Sequence, residues 1–146
     1  MTTAAQRAFL IGTGIWLALQ LSRLIAWVLI QDIDAGGSSE AWRYPAYLDL
    51  FAVVSAVPLI WAVWARRGFL TWVALVVYWT ISIVDHIGNF VTTTFVGAPS
   101  IAEGMNPFMI PVTQTVFDLV FLVLLFVPHL RDGFFRIEQV ETPPAH

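Results

Sequence analysis

With 146 residues, 58% of them hydrophobic and only 12% charged, the chain has a mean hydropathy of +0.77. Soluble domains carry about 25% charged residues, so that class is excluded, and the length suits one domain. The net charge of −3 includes no basic tract of the kind that binds nucleic acid, no Gly-rich phosphate loop is present, and the lack of cysteine rules out disulfides, thiolate metal sites and cysteine nucleophiles.

A helix needs about 20 apolar residues to cross the hydrocarbon of a bilayer. Residues 8–30 form the first such run. It is too long for the apolar core of a secretory signal, so it is expected as a span. Gln20, Arg23 and Trp27 follow an i, i+3, i+7 stripe within it. A polar loop over 31–45 leads to a second span, 46–65, with Asp49 near its start and Pro58 at its middle. A proline there removes a backbone hydrogen bond and predicts a kink, which either opens room for a ligand or is ordinary membrane-helix irregularity. Arg66-Arg67-Gly68 then turns the chain tightly into a third span, 69–90, so these two are antiparallel neighbours. The third carries Trp79, Asp85, His86 and Asn89, with Asp85 and Asn89 four apart on one face. After a second long loop, 91–108, the fourth span, 109–130, holds Gln114 and Asp118 on one face, and Phe121. Residues 1–135 make up the transmembrane domain, and 136–146 form a polar tail.

Arginine sets the orientation. Arg7, Arg66, Arg67, Arg131 and Arg136 fall on one side, and Arg43 alone falls on the other beside Asp32, Asp34, Glu40 and Glu103. Both termini are therefore expected in the cytoplasm. Trp27, Trp42, Trp61, Trp64 and Trp72 lie near span ends, as interfacial anchors do. Arginine without lysine fits a GC-rich bacterial genome, so the expected location is a bacterial cytoplasmic membrane.

An ionisable residue at membrane depth costs roughly 2.5 kcal/mol or more and marks a functional site by default. Each span has one, and in this topology they share the outer half of the bilayer. Two readings stand side by side. In one, Arg23 pairs with Asp49 or Asp85, and Gln20, Asn89 and Gln114 hydrogen-bond between helices as glue. In the other, the imbalance of three carboxylates against one arginine is resolved chemically, because a carboxyl keeps its proton or a cation completes the site. Proton transfer, binding of a cationic ligand and ion passage are then all open, with Trp79 and Phe121 lining the pocket through their ring faces. His86 reads as a packing residue or a ligand contact. His129 lies at the opposite face and cannot share a haem with it. Asp85, His86 and Glu103 lack metal-site spacing, so neither metal nor cofactor is expected.

In order along the chain, these residues resemble the EXPERA domain family of emopamil-binding sterol isomerases and sigma-two-type receptors. The likeness runs from Leu10 to Leu130 and is strongest where Asp49-Leu50-Phe51, Pro58-Leu59-Ile60-Trp61 and Arg66-Arg67 follow Trp42-Arg43-Tyr44. Phe117-Asp118-Leu119-Val120-Phe121 is similar to the isomerase segment whose Asn and Trp line the sterol pocket, with Asp118 at the Asn position and Phe121 at the Trp position. Asp85 and Phe90 align with a family aspartate. The isomerases place a His and a Glu on the first span, where this chain has Gln20, Arg23 and Trp27. Arginine is never deprotonated and cannot replace that base.

The resemblance implies an all-α, polytopic, EXPERA-like four-helix bundle. Its polar pocket would take a sterol- or isoprenoid-like lipid or a cationic amphiphile. As a double-bond isomerase it would use Asp49 as acid/base and Asp118 to stabilise developing positive charge, with Gln20, Arg23, Trp27, Trp79, Asp85, His86, Asn89, Gln114 and Phe121 contacting the ligand. The alternative is a non-catalytic accessory subunit, or a small transporter whose polar residues are glue or an ion path. Expected partners are membrane lipids and a hydrophobic small molecule; a homo-oligomer is admitted but not required.

Overall fold

The computed structural model describes residues 3–135. The polar tail over 136–146, with Arg136, lies outside the described residues. The fold is all-α, with six α-helices among the described residues: α1 (Ala4–Leu19), α2 (Ala26–Asp34), α3 (Arg43–Ala65), α4 (Phe69–Val96), α5 (Met109–Leu124) and α6 (Pro128–Phe135).

Three stretches are long and apolar enough to cross a membrane: Ala4–Asp34, Glu40–Ala65 and Phe69–Val96. The first holds α1, a 3-10 stretch over Gln20–Ile25, and α2 in one column. The fourth expected span differs from the reading of 109–130 as a single helix. It is α5 followed by α6, bent by 75°, and only as a bent pair does it reach spanning length. The cause is Pro128. Its ring disfavours helical backbone in the residue before it and it has no N–H to continue the ladder. Donors nearby close the break. Val127 N–H reaches the Leu124 carbonyl at 3.2 Å, and the Trp72 indole donates to the Leu125 carbonyl at 2.9 Å.

The helices pack in a ring. α3 lies between the α1–α2 column and α4, and α4 packs along α5. α5 closes back on α1 through aromatic side chains, with Trp16 against Phe117 at 4.8 Å and Phe9 against Phe121 at 6.3 Å between ring centroids. The core, with Leu10, Leu17, Ala56, Val63, Leu75 and Trp79 fully buried, fills the half nearer the arginines. There α6 turns under the ring. Gln6 accepts from the Thr3 N–H at 2.8 Å and donates to the His129 carbonyl at 2.5 Å, so one side chain caps α1 and anchors α6. Gly133 permits this approach, because a Cβ there would sit 3.4 Å from Gln6.

At the other end the loops are tied together. Asp32 accepts from Ser38 and, at 2.6 Å, from Ser100, and the Trp42 indole reaches the Gly97 carbonyl at 3.2 Å. Arg43 bridges Asp34 at 2.8 Å and Glu40 at 2.7 Å. α3 runs as one α-helix through Pro58, and beside that proline a groove of about 370 Å³ lies between α3 and α4, lined by none of Arg23, Asp49, Asp85, His86 or Asp118.

α1 meets α3 at Gly14, where a Cβ would stand 3.0 Å from the Trp64 ring. Gly14→Leu is expected to lower stability by about 1–3 kcal/mol through overpacking. Gly88→Ala, whose added methyl meets nothing within 4 Å, should not. Detergent-solubilised protein unfolded by heat checks the pair, and a Gly14→Leu protein as stable as the parent would mean that the two helices do not meet there.

Candidate functional site

The polar side chains of the helices converge just on the loop side of the core. Their centre is Arg23, 4% exposed, on the 3-10 stretch of the first column. In a 3-10 helix residues three apart eclipse each other, and the buried positions of this stretch, Gln20 and Arg23, follow that period, with Ala26 next at the start of α2. Arg23 Nη1 contacts Asp49 Oδ1 of α3 at 3.3 Å and Asp85 Oδ2 of α4 at 3.2 Å. Its Nη2 donates to Ser82 Oγ at 2.8 Å and meets the His86 ring, with Nδ1 at 3.2 Å and Nε2 closer. A guanidinium has only donors, so the imidazole nitrogen facing it accepts.

A second knot joins the first. Asp118 of α5 is fully buried, and its Oδ1 accepts from the Trp16 indole at 2.7 Å and from the Gln20 amide at 3.4 Å. Its Oδ2 lies 3.3 Å from His86 Nε2. One connected set therefore links the first column, α3, α4 and α5. Desolvation of this kind is tolerated only when partners replace water, and most of the set is so paired. Five buried atoms are not: the acceptors Gln20 Oε1, Asp85 Oδ1 and Asp118 Oδ2, and the donors Arg23 Nε and Trp79 Nε1. Two of the three carboxylates, Asp49 and Asp85, share the one guanidinium, and the unpaired acceptors outnumber the unpaired donors three to two.

Of the residues singled out from the sequence, Gln20, Arg23, Asp49, Asp85, His86 and Asp118 meet in this network. Trp79 and Phe121 pack together at 5.9 Å in the adjoining core, where they form its floor. Asn89 is nearly buried and faces a cavity of about 190 Å³, which Asp49 also lines. Gln114 is half-buried, and its side chain has no hydrogen bond with a described residue. Trp27 is 56% exposed and is not brought to the cluster. Its place on the stripe assumed a 3.6-residue period, and the 3-10 stretch shortens that period to three. Two contributors were missed. Trp16 lies four residues before Gln20, and Ser82 four before His86; both were legible by spacing but carry no charge to draw notice. Among the described residues no group of three or more His, Cys, Asp or Glu could hold a metal ion.

Protein-family models, curated proteins and solved structures give no match to this chain.

Arg23→Met removes the partner of the buried Asp85 and the partly exposed Asp49, and is expected to cost about 3–5 kcal/mol. Adding Asp49→Asn and Asp85→Asn should restore part of the loss, because the carboxylates no longer lack a counter-charge. Unfolding of the single and triple variants in detergent tests this. Equal stability of Arg23→Met and parent would mean that the guanidinium is not what joins the helices.

Proposed function

We propose that the chain is a non-catalytic membrane protein, an accessory subunit or partner of other membrane components, whose buried polar network acts as helix–helix glue. The observation that carries this reading is that the ionisable side chains at depth are spent on one another. Arg23 touches Asp49, Asp85, Ser82 and His86, and Asp118 is enclosed by Trp16, Gln20 and His86. In this reading α5 and α6 together act as the fourth span, both termini face the cytoplasm, the loop end is the outer one, and the membrane is a bacterial cytoplasmic membrane. The arginines at one end support the orientation: Arg66 stacks on Trp61 at 5.6 Å, and Arg67 donates to the Val63 carbonyl.

The EXPERA-like order of residues stays part of the proposal as a description of architecture. Its enzymatic consequence has less behind it. A double-bond isomerase needs an acid and a base that the substrate reaches, and Asp118 is closed in on every side. One observation favours a second reading, binding of a hydrophobic small molecule: Asp49 and Asn89 both line a cavity whose other walls are mostly apolar, the usual form of a ligand site.

Two measurements test the main reading. Proteoliposomes carrying the protein are expected to hold an imposed pH gradient as long as empty liposomes do. A faster decay that Asp49→Asn abolishes would replace glue by an ion path. Reporter fusions at either terminus are expected to report the cytoplasmic side; a periplasmic C-terminus would overturn the orientation.

A further inference from the structure

Two cavities flank the loop end of α5. The first, about 190 Å³, lies beneath the 97–108 loop and is lined by Leu29, Trp42, Asp49, Asn89 and Ile110 among others. The second, about 210 Å³, lies between α4 and α5 and is lined by His86, Phe90, Val112 and Thr115 among others. Pro111 lines both, so they adjoin across one side chain. Within the first, Asn89 is 9% exposed and its amide has no hydrogen bond with a described residue. The amide is open to the cavity and offers both a donor and an acceptor there. Asp49 is the reachable carboxylate of the three: its side chain is 21% exposed, against 2% for Asp85 and 0% for Asp118.

We propose that the two cavities form one bent site for a single-chain lipid alcohol, its hydroxyl held by Asp49 and Asn89 and its chain leaving past Pro111 between α4 and α5. The proposal rests on the ligand-binding reading of the first cavity and is independent of the glue role of the network. The head group follows from the donor and acceptor inventory. A hydroxyl donates to the Asp49 carboxylate and accepts from the Asn89 amide, which uses both groups. A carboxylate or phosphate head would face Asp49 unpaired. An ammonium head would have to share Asp49 with Arg23, already 3.3 Å away, after losing its own hydration. The net negative charge of the cluster is the counterweight to that argument, so the amine is the comparison that decides it. The tail follows from the second cavity, whose lining apart from His86 and Thr115 is apolar.

The test is thermal unfolding of the protein in phosphatidylcholine nanodiscs titrated with dodecanol, dodecylamine and dodecane. Dodecanol is expected to raise the unfolding temperature saturably, and more than dodecane. Asn89→Leu removes the amide at similar size without breaking a bond within the protein. It should keep the ligand-free unfolding temperature and weaken dodecanol binding about tenfold, leaving dodecane unchanged. Should Asn89→Leu fail to fold, Val112→Trp, which fills the second cavity, should abolish the dodecanol shift. Dodecylamine binding more tightly than dodecanol overturns the alcohol and keeps the cavity as a ligand site. So does an undiminished dodecanol shift in Val112→Trp for the bent route. No shift with any of the three overturns both the proposal and the ligand-binding reading beneath it.

Discussion

One guanidinium joins three helices that the hydrophobic effect alone could not hold in register. In lipid, apolar side chains gain little by leaving acyl chains for one another, so association rests on packing and on polar contacts. Arg23 supplies the contacts, reaching Asp49 on α3 and Asp85, Ser82 and His86 on α4, while Gln20, three residues before it, donates to the aspartate of α5. The two Nη groups of its planar fork allow that spread where a lysine would not. The 3-10 stretch over Gln20–Ile25 places it: the tightened turn stacks Gln20 over Arg23, so one face serves both halves of the network.

Away from that centre, the fold is completed by side chains that satisfy backbone groups at breaks. Trp72 and Gln6 meet carbonyls around the α5–α6 bend, and Thr71 and Arg67 meet those at the α3–α4 turn. Within a membrane each such carbonyl left alone would be expensive.

The all-α class, the first three long helices and the convergence of Arg23, Asp49, Asp85, His86 and Asp118 were legible because charge at membrane depth has few places to go. Gln20 followed from spacing to Arg23. Trp27 did not, since a local change of helical period leaves no mark in the residue pattern. The bend at Pro128 was written in the sequence, but the apolar run continues across it and length alone reads as one span. Trp16 and Ser82 were invisible as site residues because an indole or a serine in a membrane helix is commonplace. The second cavity depends on how the side chains of α4 and α5 meet, which is a property of packing rather than of any single residue.

The bend has a consequence for the surrounding lipid. α5 has 16 residues, a rise of about 24 Å, against a hydrocarbon layer of about 30 Å. The three other columns are longer than the layer, at 31, 26 and 28 residues. Such a body presents unequal heights around its rim. In a bilayer, acyl chains beside α5 would have to shorten to meet the short wall, and those beside the longer columns to lengthen. Strain of this kind amounts to fractions of a kcal/mol per ångström of mismatch. A body of unequal heights would therefore tilt toward its short side, since tilting lessens the mismatch of the long columns.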